Sequence, residues 1–304
     1  MNEPKIPVLY APTASGKTAI VMSLYDKLNI EICSMDSMQI YKKMNIGTAK
    51  PLPEELAHYP HHLIDIVYPD ESYDVNQYRQ DALNKIETVK ARNRVPLFVG
   101  GTGLYMDILR YGLFEGVTRD EKLRRELEVK ESETPGILMD TLSRIDPVAA
   151  AKIHPNDLKR KIRALEVYYK TGRKFSEMGR ERLPDERFVL IYLSRERSVI
   201  YDRINRRVDQ MIEMGLIEET SELMKGYTSD LQSMKAIGYR ETIDYLNGVY
   251  DSKADYIDSL KKNTRHYAKR QIIWGRRYEE MERFDLDSED LDSFCERLNR
   301  LIYI

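Results

Sequence analysis

Cysteine is nearly absent from this chain of 304 residues: only Cys33 and Cys295 occur, far apart in sequence. A disulfide scaffold and a four-ligand zinc knuckle are thereby excluded. A reducing compartment is the default, and a cytoplasmic protein is expected. Long apolar runs are missing too. No window approaches the ~20 consecutive apolar residues of a membrane span, and Met1 to Pro7 lack the basic start and apolar stretch of a secretory leader. No sign of charge dominates, since 48 Lys plus Arg face 50 Asp plus Glu and leave a formal net charge of -2. Nothing global therefore advertises a polyanion partner. Internal repeats and low-complexity tracts are also absent.

Hydrophobic residues make up 42% and charged residues 32% of the chain, the composition of a folded protein with room for one α/β core and a smaller domain. Charge placement is more informative than its sum. Lys261 to Arg277 holds seven Lys/Arg and no carboxylate, whereas Tyr278 to Glu296 holds nine Asp/Glu and one Arg. That asymmetry asks for a local cause.

Ile6 to Tyr10 is a short apolar run that leads into Ala11-Pro12-Thr13-Ala14-Ser15-Gly16-Lys17-Thr18, and Ala19 to Leu28 then carries apolar residues at helical spacing. Ile30 to Met35, Val95 to Val99 and Phe188 to Leu193 are further strand candidates, each ending beside polar or glycine-rich residues. Asp74 to Arg92 has Val75, Tyr78, Ala82, Leu83, Ile86 and Val89 at the 3.6-residue period, which predicts a crossover helix. The expected fold is α/β: a P-loop NTPase-like parallel sheet flanked by helices. Residues 118–184 read differently, with alternating charges and no β-branched run. They are expected to form an inserted all-helical domain between a first core part, 1–117, and a second, 185–304, with C-terminal helices. Within the insert, Leu158, Ile162, Leu165, Val167 and Tyr169 mark a helix expected to carry Lys159, Arg160, Lys161 and Arg163 partly into solvent.

Gly16-Lys17-Thr18 between a strand and a helix is the core of a G-x-x-x-x-G-K-[ST] loop, whose backbone N–H groups and helix N-terminus cradle phosphate oxygens. Ala11 stands where the first glycine belongs, so the turn there must use a conformation alanine tolerates. Lys17 is expected on the phosphates and Thr18 on a Mg²⁺ ion that bridges them. At the level of the motif, ATP and any other diphosphate satisfy the same donors. Ile30 to Asp36 is a poor match to the acidic strand that completes the Mg²⁺ shell of hydrolases and kinases.

Asp36-Ser37-Met38-Gln39-Ile40-Tyr41 lies past the carboxyl end of a predicted parallel strand, where ligands meet this architecture. Asp36 suits a general base, an N-cap, or both. Gly100-Gly101-Thr102-Gly103 permits close backbone approach and aims the Thr102 hydroxyl into the same crevice; a plain tight turn is the competing reading. His58, His61 and His62 are read as solvent-facing or hydrogen-bonded rather than as metal ligands.

With these segments in view, the sequence resembles the bacterial tRNA dimethylallyltransferases, also called isopentenyl-diphosphate:tRNA transferases. The resemblance rests on Ala11 to Thr18, where Gly is usual at the first position, on Asp36 to Tyr41 running into Asn45-Ile46-Gly47-Thr48-Ala49-Lys50-Pro51, and on Pro60 to Asp65. It continues through Val99 to Tyr105, Asp146-Pro147, His154 to Asp157, Arg163 to Glu166, Ile237 to Arg240 and Tyr267-Ala268-Lys269-Arg270-Gln271. In order, these segments span nearly the whole chain.

The resemblance implies transfer of a dimethylallyl group from dimethylallyl diphosphate to N6 of adenosine 37 in tRNAs that read codons starting with U. The loop of Ala11 to Thr18 would then hold the leaving diphosphate, together with Arg207 and a Mg²⁺ ion. It further implies that Asp36 sits on the adenine N6 with Thr102 nearby. The implied tRNA contacts are Asp36, Ser37, Met38 and Gln39; Asp157, Leu158, Lys159, Arg160 and Lys161; and Lys235, Ala236, Ile237, Gly238, Tyr239, Arg240 and Glu241. The partner is the tRNA anticodon arm, and a monomer away from membranes is expected. On one helix, Lys262, Arg265, Lys269 and Arg276 would form a basic stripe opposite Leu260, Tyr267 and Trp274; a solvated charged face explains the same pattern. A P-loop nucleotide or metabolite kinase and a non-catalytic RNA-binding P-loop protein are the competing functions.

Overall fold

The computed structural model describes residues 3–112, 119–178 and 183–303. Six strands form one sheet: β1 (Ile6–Tyr10), β2 (Ile30–Met35), β3 (His61–His62), β4 (Val95–Gly100), β5 (Phe188–Ser194) and β6 (Glu282–Asp285). Their order is β3-β2-β4-β1-β5-β6, and every pairing is parallel. The four apolar runs of the sequence are the four inner strands, which are covered on both faces and so read as near-continuous hydrophobic stretches. β3 and β6 lie at the edges. β6 buries only Phe284, and β3 has two residues; neither leaves an apolar run to find.

The helices α1 (Lys17–Lys27), α2 (Pro53–His58), α3 (Val75–Lys90) and α4 (Gly103–Tyr111) accompany the first four strands. α3 opens on a capping box: Asp74 accepts the N–H groups of Asn76 and Gln77, and Gln77 Oε1 accepts the N–H of Asp74 at 2.7 Å. Between Tyr111 and Pro184 lie α5 (Glu121–Glu133), α6 (Ile137–Ile145), α7 (Pro147–Ala150), α8 (Leu158–Thr171) and α9 (Phe175–Met178). After β5 come α10 (Arg197–Glu213), α11 (Leu216–Met224), α12 (Tyr239–Leu246), α13 (Lys253–Gly275) and α14 (Leu291–Ile302).

The chain divides into two compact units, one of Met1–Arg110 with Asp185–Ile304 and one of Tyr111–Pro184. In the first, alternate residues of the strands (Leu9, Ile32, Leu97, Ile191) pack against Val21 and Leu24 of α1 and Phe294, Leu298 and Ile302 of α14. A second core joins Ile40, Tyr41 and Met44 to α10 through α13 by way of Ile204, Val208, Leu223, Tyr239, Tyr256 and Leu260. Cys33 is a buried strand residue whose thiol is pushed up by burial and then by Glu31. The acidic C-terminal segment has local partners: Asp292 pairs with Lys27, Asp287 with Arg195, and Glu282 with Arg297. Among the described residues no helix is long and apolar enough to cross a membrane.

The second unit has its own core of Leu127, Leu138, Leu142, Ile153, Ile162 and Leu165. Beside it lies the fully buried carboxylate of Glu166, which accepts Arg124 Nε and Nη2, Arg163 Nη1 and the N–H of Asp120, all at 2.7–2.8 Å. Burial alone would raise its pKa; these donors outweigh burial and hold it down at about 2. α8 also corrects an expectation. Lys161 does not face solvent: it is 3% exposed and pairs with Glu131 of α5. Arg163, half-buried, is likewise turned onto Glu166.

Candidate active site

The register of the sheet sets the site. Tyr10 of β1 and Met35 of β2 both pair with Gly100 of β4. The next residue on each strand is therefore the start of a loop, and Ala11, Gly101 and Asp36 begin their loops side by side at the carboxyl end of the sheet. A Cβ on Gly100 would lie 1.9 Å from the Met35 carbonyl oxygen, so glycine is required for this approach.

In the first loop the turn is carried by Ala14, with φ 61°, and Gly16, with φ 101°. Ala11 is buried, donates to the Gly100 carbonyl at 3.0 Å, and stays outside the left-handed region, as an alanine there must. Gly16 caps α1, whose first turn carries Lys17 and Thr18; the free N–H groups of such a turn attract anions. Pro12 and Ser15 complete the loop, the Ser15 N–H donating to the Pro12 carbonyl at 3.3 Å. The buried Ser15 Oγ has no partner. Arg203 Nε donates to the Ala14 carbonyl at 2.7 Å. Arg207 Nη1 reaches Thr13 Oγ1 at 3.4 Å, and its Nη2 the Ala49 carbonyl at 3.5 Å. None of Lys17, Arg203 and Arg207 has a carboxylate at ion-pair distance among the described residues.

Lys17 shows what this costs. Burial lowers its pKa to about 8, with Asp36 pulling it up and Arg207 pushing it further down. Burial likewise lowers Arg207, opposed by Asp36 and reinforced by Arg203. Unmatched cations held together in this way stabilise an incoming anion.

Across this end of the sheet, Asp36 Oδ1 accepts the N–H of Met38 at 2.9 Å and that of Gln39 at 3.4 Å. The carboxylate thus caps its own turn and still opens onto the cavity. Thr102 Oγ1 accepts the Ser37 N–H at 3.1 Å and ties the glycine loop to the Asp36 turn. Tyr267 of α13 borders the same cavity, and burial, followed by Asp36, raises its phenol. Thr13, Lys17, Asp36, Ser37, Met38, Arg207, Lys235 and Arg240 border one cavity of about 370 Å³. A smaller recess joins Lys17, Thr18 and Asp36.

Three side chains brace the site: Gln39 and Gln271, whose segments the resemblance marks without this role, and Glu219, which nothing in the sequence marks. Gln39 Nε2 donates to the Thr48 and Ala49 carbonyls at 3.4 and 3.3 Å. Glu219 of α11 accepts the N–H groups of Asn45, Ile46 and Gly47 and the Tyr239 hydroxyl. Gln271 of α13 bridges the first loop and the glycine loop. A carboxylate or amide whose partners are chiefly backbone groups leaves no spacing to read.

The expected RNA-facing residues separate into two groups. Lys159, Arg160, Lys235 and Arg240 are exposed, and Ala236 and Ile237 border the cavity. Tyr239 and Glu241 are not on the surface: Tyr239 is buried with its hydroxyl on Glu219. Glu241 is buried and accepts the Gly238 N–H at 2.9 Å and Asn263 Nδ2 at 2.8 Å. Gly238, with φ 101°, packs on Gly47. In the helical unit, Asp157 caps α8 by accepting the Arg160 N–H, and Leu158 packs on the core. On α13, Lys262, Lys269 and Arg276 are exposed, whereas Arg265 turns to Asn205 at 2.6 Å. His62 Nε2 meets Glu31 at 2.6 Å, and His61 Nδ1 the Tyr59 carbonyl at 2.6 Å.

Residues 39–278 match the family model described as IPP transferase. The tRNA dimethylallyltransferase of Thermotoga petrophila is 53% identical over 98% of this chain and 98% of its own. That of Thermosipho africanus is 48% identical over 98% of this chain and 99% of its own. Among solved structures, the full-length tRNA isopentenylpyrophosphate transferase of Bacillus halodurans superposes with a TM-score of 0.72 at 43% identity, covering 99% of this chain and 96% of its own. A eukaryotic dimethylallyltransferase acting on tRNA superposes with a TM-score of 0.79 at 29% identity, covering 98% and 77%.

Proposed function

The chain belongs to the IPP transferase family, the tRNA dimethylallyltransferases, and we propose that it carries out their reaction between the Lys17 cradle and the Asp36 carboxylate. Dimethylallyl diphosphate and a tRNA anticodon arm are the substrates, and N6-(dimethylallyl)adenosine at position 37 is the product. Family membership removes the kinase and the non-catalytic switch from consideration.

The observation that carries the site assignment is the shared cavity: unpaired cations and the Asp36 carboxylate face one space from neighbouring strand ends. The diphosphate lies on the N–H groups at the start of α1, with Lys17 and Arg207 on its oxygens. As the C1–O bond breaks, negative charge grows on the departing diphosphate, and these fixed donors stabilise it. The N6 amine is a weak nucleophile because its lone pair is delocalised into the ring. It attacks C1, the C–N bond forms, and Asp36 takes the N6 proton. Thr102 orients the same edge of the base. Adenosine 37 belongs to a single-stranded loop, so turning it into the cavity costs less than opening a duplex, and the inserted base keeps water from the allylic carbon.

Mg²⁺ fits the residues present. The Thr18 hydroxyl opens onto the recess beside Lys17, and Mg²⁺ is ordinarily held by one or two protein oxygens, water and substrate phosphates. When bound, the ion supplies further neutralisation of the leaving diphosphate. Lys159 and Arg160 of the helical unit, with Lys235 and Arg240, hold the phosphates of the arm.

The test uses unmodified tRNA, dimethylallyl diphosphate and Mg²⁺, followed by digestion and mass spectrometry. The expected result is one C5 unit on adenosine 37 with the native chain, formed at least about 100-fold more slowly with Lys17→Ala or Asp36→Asn. Full activity in either variant overturns the assignment.

A further inference from the structure

The segment Tyr267 to Gln271 is left without a role by the reaction just described, and its last residue is built into the site from outside. Gln271 is 5% exposed. Its Oε1 accepts the Thr13 N–H at 2.8 Å, and its Nε2 donates to the Gly101 carbonyl at 2.9 Å. Its own carbonyl accepts the Tyr10 hydroxyl at 3.0 Å. One side-chain amide therefore joins the loop that holds the anion to the loop that carries Thr102. Among the described residues no backbone hydrogen bond does this beyond Ala11, whose N–H donates to Gly100.

We propose that Gln271 is a positioning residue that fixes the separation between the leaving diphosphate and the acceptor amine. The proposal rests on the reading that the Thr13 loop holds the diphosphate and that Thr102 and Asp36 hold the base. The chemistry selects the residue type. Thr13 presents a donor and Gly101 an acceptor, so the bridge must accept at one atom and donate at the other. A neutral amide does this. A carboxylate of the same length accepts at Thr13 but turns a second lone pair on the Gly101 carbonyl. The fit is close on the glycine side, where a Cβ on Gly101 would lie 2.1 Å from Gln271 Nε2. Tyr267, one turn earlier on α13, borders the same cavity as Gln271. Because α13 presents both side chains, a shift of the helix moves both loops.

The decisive variant is Gln271→Glu, assayed for kcat, for KM of dimethylallyl diphosphate and for anticodon-arm affinity across pH. Misplacement of a reacting group by an ångström reduces rate by about 100-fold, and a fall of that order in kcat is expected with arm affinity unchanged. The ratio of variant to native kcat should rise as pH falls, because a protonated carboxyl regains a donor for the Gly101 carbonyl. A purely structural loss would not recover on acidification. Gly101→Ala presses on the same amide from the other side and should lower kcat with the same sparing of arm affinity; it serves as the second readout if Gln271→Glu does not fold. A native kcat in both variants while Asp36→Asn is impaired overturns the proposal and leaves the site reading intact. A fully active Asp36→Asn overturns the reading and the proposal with it.

Discussion

Asp36 holds Met38 as well as facing the cavity: its Oδ1 accepts the Met38 N–H at 2.9 Å. Two functions thus share one carboxylate, and they can be separated. Asp36→Asn keeps an oxygen acceptor for the turn but cannot take a proton. We expect kcat to fall by about 10²–10⁴-fold, the usual contribution of a general base, with little change in tRNA affinity. Asp36→Ala should lose both the base and the turn, weakening tRNA binding as well. Equal losses of kcat and affinity in the Asn variant, measured by single-turnover kinetics and filter binding, would exclude Asp36 as the base.

Lys17 gives a pH signature. Its pKa is depressed by burial to about 8, below the ordinary 10.5, so in the free protein it is charged below that pH and neutral above it. An anion favours the charged form. Diphosphate binding between about pH 8 and 10.5 should therefore take up protons, and little uptake is expected below pH 7. Calorimetry in two buffers of different ionisation heat measures the uptake, and Lys17→Met should abolish it. The same substitution should remove about 3 kcal/mol or more of transition-state stabilisation.

The helical unit separates solvent-facing cations from scaffold within three consecutive residues. Lys159 and Arg160 are exposed, while Lys161 is buried against Glu131. The double change of Lys159 and Arg160 to Ala should lower the slope of log affinity against log salt by about 1–2 and leave diphosphate binding intact. Lys161→Ala should instead destabilise by about 1–3 kcal/mol, because the Glu131 carboxylate loses its buried cation and keeps the Leu138 N–H, and should not change the slope. Thermal unfolding and arm binding at several salt concentrations distinguish the two.

Glu219 acts on the site at one remove. It accepts three successive backbone N–H groups at 45–47, and the carbonyls just beyond, at Thr48 and Ala49, receive Gln39 and Arg207. Glu219→Ala leaves those donors without partners, at a cost of about 1–3 kcal/mol. The expected kinetic result is a raised KM for dimethylallyl diphosphate through loss of the Arg207 support. Unchanged KM with lowered stability would confine Glu219 to scaffolding.

Much of this architecture is legible before any coordinates are. The runs at Ile6, Ile30, Val95 and Phe188 become the four inner strands because both their faces are covered. Glu282–Asp285 is illegible for the opposite reason, with only Phe284 turned inward. The loop of Ala11 to Thr18 and the Asp36 turn are local, so their spacing announces them. Gln271 and Glu219 are not, since their partners are backbone groups some 170–260 positions away, at separations of 258 and 173 residues for Thr13 and Ile46. Lys161 was readable in principle: it lies three residues after Leu158 and four before Leu165, on the stripe that α8 buries.

Because β4 runs between β1 and β2, the distance from cradle to carboxylate is set by two steps of main-chain pairing, about 10 Å in all. That backbone gauge sets the coarse spacing, and the Gln271 bridge between the Thr13 and Gly101 loops trims it. Variation in the loops can retune affinity or acidity, but on the proposed site the coarse room between donor and acceptor comes from the sheet, and a bulkier allylic chain would have to find its space elsewhere.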